Sequence, residues 1–147
     1  MEDQNIREIV DQYILLSHNV WKLGEALVKD EIDGSMTNDQ LYILRYISKQ
    51  GKCTTTELAN AFYVQKSAIT AIINRLFEKN IIERTPDPVD RRVSYLSLTE
   101  EGKELFDKQE KKVQSLVKSF ITQFEQEEIE SFLKTYKKIA DLLKEMR

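Results

Sequence analysis

The chain has 147 residues and a formal net charge of −3, with 41% hydrophobic and 32% charged side chains, which suits one helical domain with its own core. No apolar run approaches the roughly 20 residues of a membrane-spanning helix, and the polar start MEDQNIREIV argues against a secretory signal. The lone cysteine, Cys53, has no partner for an internal disulfide, which is typical of a protein of the reducing cytoplasm. We therefore expect a cytoplasmic protein without a membrane segment, and a single domain over residues 1–147.

Two helices are predicted in the first third of the chain. Apolar residues at steps of three and four indicate a first helix over about residues 4–30, and DGS at residues 33–35 ends it. A second helix begins at Thr37, which is spaced from Gln40 as in a capping box, and it ends at Gly51. The buried face of this second helix is predicted to consist of Leu41, Leu44 and Ile47.

The third and fourth helices follow with a tight turn between them. Thr54 and Glu57 repeat the capping-box spacing at the start of the third helix, and YVQ at residues 63–65 is the turn. Asn80 is expected to end the fourth helix in the left-handed conformation. The side chains of the fourth helix predicted to point inward are Ile69, Ile72, Ile73 and Leu76.

A β-hairpin and two long helices complete the chain. Residues 81–85 (IIERT) and 93–98 (VSYLSL) indicate two strands, with PDPVDRR between them. Thr99 caps a fifth helix, despite Gly102 in its first turn, and a sixth helix runs from about residue 126 to the end. The predicted fold class is therefore mostly α with a small β-hairpin (α+β).

Helix, tight turn, helix and hairpin make a winged helix-turn-helix, predicted over about residues 36–103. Residues 64–98 carry six basic and four acidic side chains, whereas the rest of the chain is acidic, so the charge distribution favours a DNA partner for the middle. In such a motif, short polar side chains near the start of one helix read bases in the major groove. The candidates for base contacts on the fourth helix are Ser67, Ala68, Thr70, Ala71 and Asn74. Lys66 could reach guanine or a phosphate, and Arg75 is expected to contact the phosphates.

Two further groups are predicted to touch DNA. The hairpin loop carries Arg91 and Arg92, and arginine is the side chain that the narrow minor groove attracts. We expect Asp90 to pair with Arg91 and hold the loop, which leaves Arg92 to enter the groove. A phosphate is expected at the start of the third helix, which offers the free N–H groups and hydroxyls of Thr54, Thr55 and Thr56.

The sequence resembles the MarR family of transcriptional regulators over about residues 36–103 by motif, and over the whole chain by helix layout. The family pattern is Leu-Thr-x-x-Gln, then T-x-x-E-L-A, then D-P-x-D-R-R before L-T-x-x-G, and the last two motifs together are specific. Met36 and Asn80 replace the usual leucine and glycine, and neither lies on the predicted DNA face. The matching residues are Thr37, Gln40, Glu57, Leu58, Ala59, Asp87, Pro88, Asp90, Arg91, Arg92, Leu98, Thr99 and Gly102.

The resemblance implies a homodimer whose interface is formed by the terminal helices, at about residues 4–32 and 100–147. It implies binding to a pseudo-palindromic operator in double-stranded DNA, usually as a repressor, and release by a small aromatic or lipophilic effector. The side chains expected near an effector are His18, Trp21, Tyr42 and Tyr46. We expect no cofactor and no metal, because a single histidine cannot build the metal site that metal-sensing members use.

Two alternatives stay open. Cys53 would allow a redox-responsive regulator, although the first helix lacks the cysteine that senses oxidants in the resembled family. A winged-helix module that binds only protein partners is the other alternative, and the paired arginines of the loop argue against it. No nucleophile and base grouping, phosphate-binding glycine loop or metal motif indicates an enzyme.

Overall fold

The structure, a computed structural model, describes residues 2–32 and 34–147. Its helices are α1 (Asp3–Glu31), α2 (Asn38–Gln50), α3 (Thr55–Ala61), α4 (Lys66–Glu78), α5 (Glu100–Ile121) and α6 (Gln126–Met146), and its strands are β1 (Ile82–Pro86) and β2 (Ser94–Leu98). The predicted fold class is confirmed. The predicted break at residues 33–35 begins at Asp33, which lies outside the described residues.

The chain divides into two compact units, one that ends at Val113 and one that comprises residues 114–147. The core lies in the first unit, where α2, α3, α4 and the hairpin pack their apolar faces together. Ile72, predicted to point inward, is only partly buried at the edge of this core. The side chains with no exposed surface are Leu44, Ile47, Leu58, Ile73 and Leu76.

The predicted helix ends depend on short polar contacts. The Thr37 hydroxyl accepts the N–H of Gln40 at 3.1 Å and the Gln40 side chain accepts the N–H of Thr37 at 3.1 Å, which confirms the capping box. At α3 only half of the predicted box forms. Thr54 accepts the N–H of Glu57, but the Glu57 carboxylate accepts the Thr54 hydroxyl at 3.1 Å instead of the backbone. Asn80 has a φ of +58°, as expected for a left-handed helix end.

Two contacts fix the hairpin to the helices that precede and follow it. The backbone of Cys53 pairs with Leu96 of β2, with N–H···O distances of 3.1 and 2.7 Å, so the residue before Thr54 extends the edge of the sheet. At the other end, the Thr99 hydroxyl accepts the N–H of Gly102 at 2.9 Å and donates to the Asn80 carbonyl at 2.7 Å. A Cβ at Gly102 would lie 1.9 Å from the Ile81 carbonyl oxygen, so only glycine allows this approach.

Candidate nucleic-acid interface

The outer face of α4 is the first part of the site. Ile69, Ile73 and Leu76 hold the inner face in the core, so the predicted contact residues are turned to solvent. Thr70 is half-buried, and its hydroxyl donates to the Lys66 carbonyl at 2.8 Å, which leaves its methyl group as the outward feature. The exposed members of the predicted set are Lys66, Ser67, Ala68, Ala71, Asn74 and Arg75.

The start of α3 is less open to a phosphate than its sequence indicates. The Thr54 hydroxyl is engaged at both its oxygen and its hydrogen by Glu57, and the Glu57 carboxylate brings a negative charge to this helix start. A second anion is disfavoured next to that carboxylate. The side chains of Thr55 and Thr56 have no hydrogen bond to a described residue, so these two residues remain the candidates for contact with a DNA phosphate at this helix start.

The loop between the strands, residues 87–93, is folded around Asp87, and we call it the wing. Asp87 Oδ1 accepts the N–H groups of Val89 and Asp90, both at 2.9 Å, and Oδ2 accepts the Tyr95 hydroxyl at 2.9 Å. The N–H of Asp90, that of Val89 and the Tyr95 hydroxyl hold the pKa of Asp87 below its ordinary value. Sequence reasoning missed this role of Asp87 and Tyr95, although an aspartate that bonds N–H groups just after it is a common turn signal.

The predicted pairing of Asp90 with Arg91 is wrong, because the Asp90 carboxylate binds Arg92. Arg92 Nε donates to Oδ1 at 3.1 Å and Nη2 donates to Oδ2 at 3.3 Å. The backbone N–H of Arg92 also donates to Oδ1 at 3.0 Å, which draws the carboxylate toward this residue and away from Arg91. The Arg92 side chain is still 91% exposed, so its remaining N–H groups face solvent.

The base of the wing is tied to the segment that leads into α3. Lys52 places its Nζ 4.6 Å from the centre of the Tyr95 ring, and the next residue, Cys53, pairs with Leu96. The Cys53 side chain is 1% exposed, and burial, reinforced by the nearby Glu57 carboxylate, raises the pKa of its thiol to about 11. Cys53 therefore has the surroundings of a packing residue rather than a reactive thiol.

The side chains predicted near an effector differ in their exposure and in their contacts. His18 and Trp21 are exposed on α1, and Tyr42 is exposed on α2 with the Arg45 guanidinium 5.1 Å from its ring centre. Tyr46 is partly buried and packs edge to face against Phe62, with ring centres 5.9 Å apart. No ring contact joins the three aromatic members of the set among the residues that the structure describes, and Tyr46 belongs to the edge of the core.

Two features are absent from the part of the chain that the structure describes. Over residues 2–32 and 34–147, His, Cys, Asp and Glu side chains do not gather in the groups of three or more that could hold a metal ion. None of the helices in these ranges is both long and apolar enough to cross a membrane.

Comparison with known proteins identifies relatives of this architecture. A sequence model described as the MarR family matches residues 36–94. The HTH-type transcriptional repressor MdtR of Bacillus subtilis is 38% identical over 81 residues, which are 55% of this chain and 52% of MdtR. The transcriptional regulator AdcR of Streptococcus pyogenes serotype M6 is 31% identical over 101 residues, which are 69% of this chain and 67% of AdcR. The chain thus spans about half the length of MdtR and two thirds of AdcR.

A solved structure extends the likeness beyond the winged helix. A cysteine-to-serine variant of MarR from Escherichia coli, complexed with operator DNA, superposes with a TM-score of 0.78 at 25% identity, covering 90% of this chain and 95% of that one. The family match, the AdcR alignment and this superposition agree with the arrangement of α2, α3, α4 and the wing. The chain belongs to the MarR family of winged-helix transcriptional regulators.

Proposed function

We propose that the chain binds a specific operator in double-stranded DNA and represses transcription from it. The observation that carries the proposal is that one unit presents both the exposed face of α4 and, at the wing, an arginine held by a carboxylate. Asn74 has the donor and acceptor that adenine requires, and the methyl groups of Thr70 and Ala71 suit thymine. Arg92 suits a narrow minor groove. The repressor MdtR and the DNA complex of the MarR variant support this reading.

The test is an electrophoretic mobility shift with the DNA upstream of the chain's own gene, followed by footprinting on genomic fragments. We expect a protected pseudo-palindrome whose half-sites lie about one helical turn, roughly 10 base pairs, apart. Asn74→Ala should change which bases are preferred rather than abolish binding. A protein that protects no fragment at micromolar concentration would refute the proposal. Retained binding to a protein partner alone would favour the interaction module instead.

The binding form is proposed to be a homodimer. Neither α1 nor α6 has a buried residue, and each exposes a row of large apolar side chains that favours burial against a second copy. On α1 the row includes Leu16, Val20 and Leu23, which are 57%, 69% and 65% exposed, and on α6 it includes Phe132, Leu133 and Tyr136. Light scattering should give twice the chain mass at micromolar concentration, and a monomer there would contradict the dimer.

The proposal includes release of the operator when a small-molecule effector binds. A ligand lowers operator affinity only to the extent that it prefers a DNA-incompetent form, and a tenfold drop needs about 1.4 kcal/mol of such preference. Trp21 is the sole tryptophan, so its fluorescence reports binding near α1. Titration with salicylate and with a fatty acid should change that fluorescence and release the operator together. If neither compound changes both signals, His18, Trp21, Tyr42 and Tyr46 have no effector role.

The other readings are weaker. A redox switch needs a reactive thiol, and the burial and raised pKa of Cys53 argue against one. The relatives compared above are transcriptional regulators, and we infer that this chain regulates without catalysing a reaction. A protein that reads an operator works beside the chromosome, so the proposal includes a cytoplasmic location.

A further inference from the structure

Two residues before α4 are of a type that is unusual for their backbone position. Tyr63 has a φ of +54°, in the left-handed region where glycine is usual and a large side chain is strained. Gln65 is the N-cap of α4, with a φ of −67° and a ψ of 143°, and its side chain makes no hydrogen bond to the first turn of the helix. Both departures lie in the segment that leads into the exposed face of α4.

The neighbouring helices of the winged helix begin differently. At α2, α3 and α5 a threonine hydroxyl accepts a backbone N–H of the first turn, at 3.1, 3.1 and 2.9 Å for Thr37, Thr54 and Thr99. Serine, threonine, aspartate or asparagine at residue 65 would supply the same bond. Gln65 is instead exposed, and its side chain has no hydrogen bond to any described residue. Local preferences of this kind are most often given up where a residue serves function.

We propose that Gln65 determines sequence specificity by reading an adenine in the major groove of each half-site, an inference that rests on the proposed function. The glutamine amide offers one acceptor and an N–H donor, which match the N6 amino group and N7 of adenine. Residues at the start of a recognition helix are those that reach base edges. The first turn of α4 carries no acidic residue and begins with Lys66, so nothing there repels the DNA.

The experiment first selects binding sites for the unaltered protein from duplexes with a randomised centre of about 20 base pairs, two turns of DNA. Every single-base substitution of the selected site is then measured with the parent and with two variants. Gln65→Glu keeps the shape but replaces the donor by a carboxylate, which accepts from cytosine N4. It should shift the preference at one position per half-site from adenine toward cytosine by about tenfold. Gln65→Ser supplies the missing cap, so it should raise the melting temperature and lose the preference without gaining another.

Glu125→Ser is the matched control, because Glu125 is the N-cap of α6 and also makes no side-chain cap bond. It should leave the base profile unchanged. If both Gln65 variants keep the parent's profile, or if they lower affinity equally for all sequences, Gln65 does not read a base. If the unaltered protein selects no sequence at all, both the proposed function and the role of Gln65 are refuted. That result does not depend on any variant, so it is distinguishable from a failure of the Gln65 assignment alone.

Discussion

The guanidinium of Arg92 is held side-on by the carboxylate of Asp90, through Nε at 3.1 Å and Nη2 at 3.3 Å. An ion pair as exposed as this contributes little to the free energy of unfolding. The ion pair should instead increase the affinity for DNA, because an arginine that is ordered before DNA binds loses less conformational entropy in the complex. Asp90 thus acts through Arg92, and Arg91 has no side-chain hydrogen bond to any residue that the structure describes.

Arg92→Ala should therefore weaken operator binding more than Arg91→Ala. Loss of the groove contact is expected to cost about 1–3 kcal/mol, whereas Arg91 offers a phosphate contact that salt screens. Fluorescence anisotropy over a salt titration measures both variants. Asp90→Asn should weaken binding in the parent but have no effect when Arg92 is already alanine. Equal losses for the two arginine variants, or an Asp90 effect that persists without Arg92, would contradict the assignment.

Asp87→Asn should reduce thermal stability in a pH-dependent way. The pKa of Asp87 is lowered from its ordinary value of 3.8 by the N–H groups of Asp90 and Val89 and by the Tyr95 hydroxyl. A lowered pKa means that the stabilisation is present above the unfolded value and is lost as the pH falls through the folded value. The difference in melting temperature between parent and variant should stay constant from about pH 7 to 5 and shrink below about pH 4.

Tyr95→Phe is the matched control for Asp87, because it removes the hydroxyl but keeps the ring beside Lys52. It should raise the pKa of Asp87 toward the ordinary value, as measured by NMR titration of the carboxyl group. A titration identical to the parent's would show that the Tyr95 hydroxyl does not bind the carboxylate in solution.

Mild peroxide should leave operator affinity unchanged. Burial raises the pKa of the Cys53 thiol to about 11, so the thiol is protonated at pH 7, and the residue is 1% exposed. The measurement is a mobility shift before and after peroxide, with Cys53→Ala as the control that cannot be oxidised there. Peroxide release of the parent but not of the variant would restore the redox alternative.

Gln109→Met should stabilise the first unit. Gln109 on α5 is 1% exposed, and neither Nε2 nor Oε1 has a hydrogen-bond partner among the described residues. Replacing an unpaired amide by an apolar side chain of similar shape should raise the free energy of unfolding by about 1–3 kcal/mol, as measured by urea titration. Gln40→Met is the control, because the equally buried Gln40 accepts the N–H of Thr37 and its loss should destabilise. A destabilised Gln109 variant would indicate a bound group that pairs with the amide.

The elements and the inward faces could be predicted from the sequence because their causes are local. Steps of three and four placed Leu44, Ile47 and Ile73 in the core, and the Thr37 and Gln40 spacing located a helix start. A left-handed φ at Asn80 follows in the same way from the residue type. Such features depend on neighbours within one or two helical turns, so the sequence is sufficient to predict most of them.

The tertiary structure was needed to decide which side chains and backbone groups are in contact. The sequence supplied the aspartates and arginines of the wing, but only the folded loop decided that Asp90 pairs with Arg92 and that Asp87 binds Tyr95. The sequence marked Gly102 as out of place in a helix, and only the approach of the Ile81 carbonyl explains it. In each case several partners lie within reach along the chain, and the choice among them is made by backbone geometry set by distant packing.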